Sequence, residues 1–238
     1  MLDGASRRLL DVADLRRDGG SDGPLDADAP WRDTSRMDET GAMFIDPVPE
    51  GAATGAVADY YRQQRKAWGF LPNYAGAFST RPDVAQAWNT LNATVRDGME
   101  RRRFEMATIA AARALRSTYC TAAHSKFLRD VCGDEATMLS IAQEPSGATL
   151  SPQDHAVYEF AAKVAADAAS IEQTDVDRLR AVGLSDADIA DVVFAAAARS
   201  FFTRVLDALG AQLDAQTAQT FPPDVRQAMI VGRPVAET

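Results

Sequence analysis

Residues 105–124 read EMATIAAARALRSTYCTAAH, and the middle of this stretch carries the signal that decides the fold. Apolar side chains recur at helical spacing on both sides of it, whereas Ser117 and Thr118 are both good N-cap residues. The pattern therefore predicts one helix from about Arg101 to Leu115 and a second from about Ser117 to Val131, with a break between them. Such a break would let the two helices fold back and pack side by side.

The later part of the chain carries the same helix punctuation. Each further predicted helix begins at a capping residue or a first-turn proline, and most of them end at a glycine. The predicted ranges are Thr54 to Gly69, Pro82 to Gly98, Ser151 to Val164, Thr174 to Gly183 and Ser185 to Gly210. In the last of these, Ser185 and Asp188 resemble a capping box. Because the strict alternation of strands is missing, we expect an all-α, compact helical bundle over residues 43–238. Residues 1–42 are rich in Asp, Arg and Gly, so we expect a disordered or weakly ordered extension there.

Composition excludes several classes of function. The formal net charge of -9 disfavours nucleic acid and anionic membranes as partners, because both would be repelled. No apolar run approaches the roughly 20 residues of a membrane span, and acidic residues interrupt the region where a signal peptide would be apolar, so we expect a cytoplasmic protein. The sequence contains neither a Gly-rich phosphate loop nor a Cys/His metal-ligand cluster, so we expect no cofactor and no metal.

Cys120 and His124 are the first candidates for chemistry. They are four residues apart, so on a helix a thiol and an imidazole share a face and can approach hydrogen-bonding distance. A cap at Ser117 or Thr118 places Cys120 in the first turn, where the helix dipole favours a thiolate. On this basis Cys120 should react with alkylating agents faster than Cys132 at neutral pH. The alternative is a buried structural cysteine and a satisfied core histidine on an ordinary apolar stripe.

Glu105 favours the catalytic alternative. It lies at helical spacing from Ile109 and Ala112, which predicts a position on the buried face of its helix. A buried carboxylate is costly unless it is paired, so its presence there indicates a functional role. If the chain folds back after Leu115, Glu105 can face Cys120. The alternative is a surface glutamate beside the neighbouring arginines. The second histidine, His155, follows an acidic first turn and is expected to be solvated.

These residues give a family resemblance. The chain has Glu105 and, after eleven further residues, Ser117; Cys120 follows after two residues and His124 after three more. This spacing resembles the Glu-x11-Cys-x2-Cys-x3-His signature of the alkyl-hydroperoxidase D and carboxymuconolactone decarboxylase superfamily. The flanks resemble its peroxidase-related branch at 43–45, 68–73, 81–82, 112–115 and 181–191. The resemblance implies an all-helical fold and a homo-oligomer (dimer, trimer or hexamer). It also implies that Cys120 attacks a hydroperoxide with help from His124 and Glu105.

The sequence departs from this signature at two positions. Ser117 replaces the cysteine that resolves the oxidised sulfur, and Tyr119 replaces a histidine that some members carry beside the second cysteine. Cys132 cannot substitute, because on the same helix it would lie about 18 Å from Cys120 and a disulfide requires Cα atoms within about 7 Å. We therefore expect an apolar packing role for Cys132, and only supporting roles for Ser117 and Tyr119.

Three functions remain open at this point. The first is a thiol-dependent peroxidase whose partners are a small-molecule hydroperoxide and an external thiol reductant. The second is a cofactor-free lyase of the carboxymuconolactone decarboxylase type, in which Glu105 and His124 serve as acid and base and Cys120 only lines the pocket. The third is a non-catalytic helical oligomer.

Overall fold

The structure is a computed structural model that describes residues 43–237. Within this range the chain is helical and forms no strand, apart from one isolated bridge between Leu213 and Val235. The α-helices are α1 (Gly55–Trp68), α2 (Tyr74–Ala77), α3 (Pro82–Asp97), α4 (Arg101–Ala114), α5 (Thr118–Asp130), α6 (Glu135–Gln143), α7 (Pro152–Asp167), α8 (Gln173–Ala181), α9 (Asp186–Ala208), α10 (Ala215–Ala218) and α11 (Pro223–Met229). Short 3-10 turns occupy Glu50–Ala52 and Ala168–Ser170. The all-α prediction is confirmed, whereas the expected extension over 1–42 lies outside the described residues.

Helix α4 is the centre of the bundle and packs against α5, α7 and α9. Every residue from Phe104 to Ala112 is buried, so this helix has no solvent-facing side along its middle. Four alanines in this run leave little side-chain volume on its surface, and neighbouring helices can therefore approach closely. A polar side chain on α4 is consequently inside the protein whichever way it points.

The break between α4 and α5 is confirmed. Arg116 adopts a left-handed backbone conformation with φ of 57°, which reverses the chain between the two helices. Ser117 is the N-cap of α5, but its side chain makes no capping hydrogen bond. The C-terminal segment covers this turn, because the hydroxyl of Thr118 accepts hydrogen bonds from the backbone N–H groups of Val231 and Gly232.

Two predictions about helix boundaries need correction. The predicted Thr174 cap is wrong: Glu172 is the N-cap of α8 and forms a capping box with Asp175. A glutamate can cap a helix with its carboxylate in the same way, although Thr is the commoner choice. The sequence reading also contains no helix corresponding to α6, which Asp134 caps by accepting a hydrogen bond from Thr137 N–H. No helix that the structure describes is both long and apolar enough to cross a membrane.

Candidate active site

The turn brings Glu105 and His124 into direct contact. Glu105 Oε2 lies 2.5 Å from His124 Nδ1, and Arg101 donates from Nε to Glu105 Oε1 at 2.5 Å. Glu105 is fully buried, whereas Arg101, one helical turn earlier on α4, is about one-third exposed. The structure therefore confirms the buried position of Glu105, but the carboxylate faces His124 rather than Cys120.

The charges within this pair follow from its surroundings. Burial by itself raises the pKa of Glu105, but the combined effect of His124 and Arg101 outweighs it and leaves that pKa below its ordinary value. Burial and the nearby guanidinium of Arg199 lower the pKa of His124 to about 4, although Glu105 opposes them. At neutral pH the pair is therefore a carboxylate and a neutral imidazole. Because the Glu105 carboxylate accepts a hydrogen bond, His124 Nδ1 carries the ring proton and Nε2 is the basic nitrogen.

The sulfur of Cys120 contacts Arg199 rather than His124. Arg199 Nη1 lies 3.7 Å from Cys120 Sγ, and Cys120 makes no hydrogen bond with His124 in the described part of the chain. Cys120 is the third residue of α5, as the capping signal predicts, and its side chain is almost fully buried. The predicted thiol–imidazole contact is thus replaced by a thiol–guanidinium contact.

The expected activation of Cys120 by the helix N-terminus also needs correction. Burial raises the pKa of the Cys120 thiol, and although Arg199 opposes this effect the net shift is upward. The physical reason is desolvation, because the thiolate loses more hydration than the nearby positive charges return. Cys120 is therefore a protonated thiol at neutral pH in the absence of substrate.

Arg199 is a candidate functional residue that the sequence analysis did not identify. It lies on α9 with only 4% of its surface exposed, and its guanidinium stands over the rings of Trp88 and Phe202. Its position could have been found from the spacing, because it lies seven residues after the buried Val192 on the same helix face. Arg199 was not selected because the apolar residues of α9 define its buried face, and an arginine among them is normally expected to reach the surface.

Cys120, His124 and Arg199 line one cavity of about 400 Å³. Aromatic side chains form much of its wall: Trp68, Tyr74, Trp88, Tyr119, Phe127 and Phe202. Asn92 and Arg96 from α3 add polar groups, and Gln64 from α1 accepts a hydrogen bond from Tyr74. The volume lies within the range of small-molecule sites, so the cavity can hold a compact organic substrate.

The two supporting positions have different surroundings. The Tyr119 hydroxyl donates to Asp214, whose other carboxylate oxygen accepts from Asn73 N–H at 2.7 Å, so Tyr119 connects α5 to two loops. The Ser117 hydroxyl is buried and has no hydrogen-bond partner of regular geometry among the described residues. Neither side chain makes a direct polar contact with Glu105 or His124.

Cys132 and His155 lie apart from this cavity. Both cysteines are free thiols, and α5 runs without interruption from Cys120 to Asp130, which separates Cys120 from the end of that helix by roughly 15 Å. Cys132 is partly buried and packs against the core, as predicted. His155 lies on α7 with its ring 3.7 Å from Glu159 and about one-third exposed.

Comparisons with known proteins point to one family and one fold. Residues 82–143, which include Glu105, Cys120 and His124, match the sequence model of the carboxymuconolactone decarboxylase family. The core of alkylhydroperoxidase AhpD, a peroxidase-related protein from Ralstonia eutropha JMP134, matches with a TM-score of 0.64 and 24% identity, over 72% of this chain and 92% of that chain. No curated protein matches the sequence significantly.

Two further structures share the fold. A peroxidase-related protein from Silicibacter sp. TM1040 matches with a TM-score of 0.61 and 23% identity, over 73% of this chain and 90% of that chain. A cysteine-to-alanine variant of the debrominase Bmp8, in complex with 2,3,4-tribromopyrrole, matches with a TM-score of 0.62 and 17% identity, over 75% of this chain and 96% of that chain. At these identities the likeness establishes the architecture and leaves the reaction open.

Proposed function

We propose that the chain is a member of the carboxymuconolactone decarboxylase and alkylhydroperoxidase D-like superfamily, whose family model matches residues 82–143, and that it is a thiol-dependent peroxidase with Cys120 as the attacking sulfur. One observation carries the proposal. Cys120 and His124 line the same aromatic-walled cavity, and the buried carboxylate of Glu105 contacts His124, so a thiol, a base and a proton-managing carboxylate lie next to one another. An apolar core position would not need all three groups together.

The proposed reaction divides the work among four residues. The thiol proton passes through the cavity to His124 Nε2, since the two side chains line it without a direct hydrogen bond, and Glu105 stabilises the resulting imidazolium through Nδ1–H. Arg199 stabilises the developing thiolate, which attacks the outer peroxide oxygen; a sulfur–oxygen bond forms and the oxygen–oxygen bond breaks. The leaving alkoxide receives the proton from His124 and departs as an alcohol. The sulfur is thereby oxidised to a sulfenic acid while the hydroperoxide is reduced.

We propose that an external thiol completes the cycle. Ser117 cannot form a disulfide, and Cys132 lies beyond the far end of α5. One small thiol would react with the sulfenic acid to give a mixed disulfide and water. A second thiol would then attack this mixed disulfide, which releases reduced Cys120 and the disulfide of the two small thiols. Such thiols are abundant in the cytoplasm, which is the compartment we propose for this protein.

Thiol-dependent turnover of a hydroperoxide tests this function. We expect the wild-type protein to consume cumene hydroperoxide only when a thiol such as dithiothreitol is added, with Cys120→Ser abolishing the activity. Cys132→Ser serves as the matched control and should retain it, because Cys132 lies outside the cavity. Equal activity of the wild type and Cys120→Ser would contradict the proposal.

A cofactor-free lyase is the second candidate. The observation that favours it is the direct Glu105–His124 contact at 2.5 Å, together with the absence of any Cys120–His124 hydrogen bond among residues 43–237. An acid–base pair of this kind could move a proton on a carboxylate substrate without using sulfur. Lyase activity on carboxymuconolactone that survives Cys120→Ser and is lost in Glu105→Gln would establish this alternative.

We further propose that the chain forms a homo-oligomer through α3 and α9. Phe194 and Phe201 lie seven residues apart on α9 and are 55% and 44% exposed, and Leu91 on the adjoining α3 is 51% exposed. Large apolar side chains at this exposure mark surfaces that a partner covers. A second copy of the chain is the partner that the family resemblance implies.

A further inference from the structure

The cavity contains positive charge without a matching carboxylate. Arg199 and Arg96 both line it, and its lining includes no Asp or Glu, although the whole chain carries a formal net charge of -9. The carboxylate of Asp97 is the partner of Arg96. Arg199 has no carboxylate within ion-pair distance in the part of the chain that the structure describes.

The hydrogen bonds of Arg199 are also incomplete. Its Nε is buried and has no acceptor. Its two terminal nitrogens make only long contacts, 3.7 Å from Nη1 to Cys120 Sγ and 3.4 Å from Nη2 to Asn92 Oδ1. A buried guanidinium normally pairs with a carboxylate or phosphate, because leaving its charge uncompensated is costly.

The other groups in the cavity do not supply the missing negative charge. The Cys120 thiol is protonated at neutral pH because burial raises its pKa, and His124 is neutral. Glu105 is already paired with Arg101 and His124. The resting cavity therefore has a net positive charge next to the reactive sulfur.

We propose that this cavity selects an organic anion, a carboxylate attached to a planar apolar body, and that Arg199 is the residue that binds the anionic group. The inference rests on the proposed function in that it names the class of substrate for the same site. The two terminal nitrogens of Arg199 present a fork that matches the two oxygens of a carboxylate. The rings of Trp68, Trp88 and Phe127 then pack on the planar body.

Alkylation of Cys120 by two reagents of similar size tests the charge selectivity. Iodoacetate carries a carboxylate and iodoacetamide is neutral. The ratio of the alkylation rate with iodoacetate to that with iodoacetamide therefore does not depend on the pKa or accessibility of the thiol, which affect both rates equally. We expect the ratio at Cys120 to exceed the ratio at Cys132 by about tenfold or more, since charge-assisted bonds to a guanidinium are of that size. Cys132 is an internal control within the same protein, outside the cavity.

Variants on α9 assign this preference to Arg199. Arg199→Gln should reduce the ratio at Cys120 to that at Cys132, while Arg204→Gln, the same change at an exposed position on the same helix, should leave it unchanged. Arg199→Lys keeps the charge and provides a second variant if the glutamine variant does not fold. A ratio that is the same at both cysteines of the wild type, or that survives Arg199→Gln, would overturn the proposal.

Ligand binding to a thiol-free protein separates this inference from the peroxidase proposal. In Cys120→Ser we expect benzoate, but not its neutral analogue benzamide, to change the fluorescence of the tryptophans in the cavity wall, with saturation. Benzoate binding combined with absence of peroxide turnover in the wild type would support the anion site and refute the peroxidase. Peroxide turnover without any benzoate binding or iodoacetate preference would refute the anion site alone.

Discussion

Cys120 is almost fully enclosed, so the groups around its sulfur decide how easily the thiol ionises. Burial raises its pKa, and the Arg199 guanidinium at 3.7 Å is the main opposing influence. Alkylation requires the thiolate, so its rate follows the ionised fraction. The burial and charge around Cys120 therefore set the fraction of its thiol that is ionised.

The pH dependence of Cys120 alkylation by iodoacetamide is the first prediction. We expect the rate to keep rising above pH 9, without a plateau near neutrality, because the pKa is raised. Arg199→Gln should shift the whole profile to higher pH, whereas Arg204→Gln should not. Peptide mass spectrometry over a pH series measures both effects, and a plateau below pH 7 would contradict the burial argument.

The pH dependence of stability is the second prediction and concerns His124. Its pKa is about 4 in the folded protein and about 6.5 in an unfolded chain. A depressed histidine pKa stabilises the fold above the unfolded value, and this contribution is lost as the pH falls from about 6.5 to about 4. The loss should be on the order of 3 kcal/mol in the free energy of unfolding, measured by urea titration.

His124→Asn should remove most of this slope between pH 6.5 and 4. His155→Asn, the same change at the second histidine of the sequence, is the matched control. The same slope in wild type and His124→Asn would show that the buried imidazole does not titrate in this way.

Sequence reasoning located three of the four central side chains but not their mutual contacts. Spacing was sufficient to select Glu105, Cys120 and His124, because each lies on the inner face of a regular helix. Which of them touch depends on the rotation of α4 against α5 and on the approach of α9, which brings in Arg199 from 79 residues away. Long-range packing of this kind has no local signal in a single sequence.

At the scale of elements, the α4–α5 turn depends on the C-terminal segment. A Cβ atom on Gly232 would lie 1.8 Å from the Arg116 carbonyl oxygen, so only glycine fits against the turn. The adjoining backbone N–H groups donate to Thr118, two residues before Cys120. The C-terminal segment thus fixes the start of the helix that carries Cys120.

Gly232→Ala is the third prediction. We expect the clash to lower the free energy of unfolding by roughly 2–3 kcal/mol, as in other overpacked positions. Gly51→Ala is the control, because nothing lies within 4 Å of its Cβ position, and its effect should stay within about 0.5 kcal/mol. Chemical denaturation compares the two, and equal stability of both variants would show that the tail does not pack on this turn.

The predicted helices were correct where a cap, an apolar stripe and a glycine coincided, as at Ser185 and Gly210. Helices α2, α6, α10 and α11 lack this full combination and were not predicted. Their formation depends on packing against longer helices rather than on their own few hydrogen bonds. Local signals therefore predict the long elements and leave the short ones undefined.

At the scale of the whole molecule, the exposed apolar side chains on α3 and α9 predict self-association. Light scattering coupled to size-exclusion chromatography should show a dimer, trimer or hexamer for the wild type. Phe194→Asp should shift the protein towards the monomer, because a charge would be buried at the interface. Asp191→Asn, on the same helix, is the control for a charge change; a monomeric wild type would refute the proposed interface.

Mass spectrometry after one equivalent of hydrogen peroxide tests the central claim most directly. Trypsin separates the two cysteines, since cleavage after Arg116 and Lys126 releases Cys120 on residues 117–126 and Cys132 on a later peptide. With a sulfenic-acid trapping reagent present, we predict labelling of peptide 117–126 in the wild type and its loss in Cys120→Ser. Labelling of the Cys132 peptide instead, or an unmodified Cys120 after complete consumption of the peroxide, would contradict the assignment of Cys120 as the attacking sulfur.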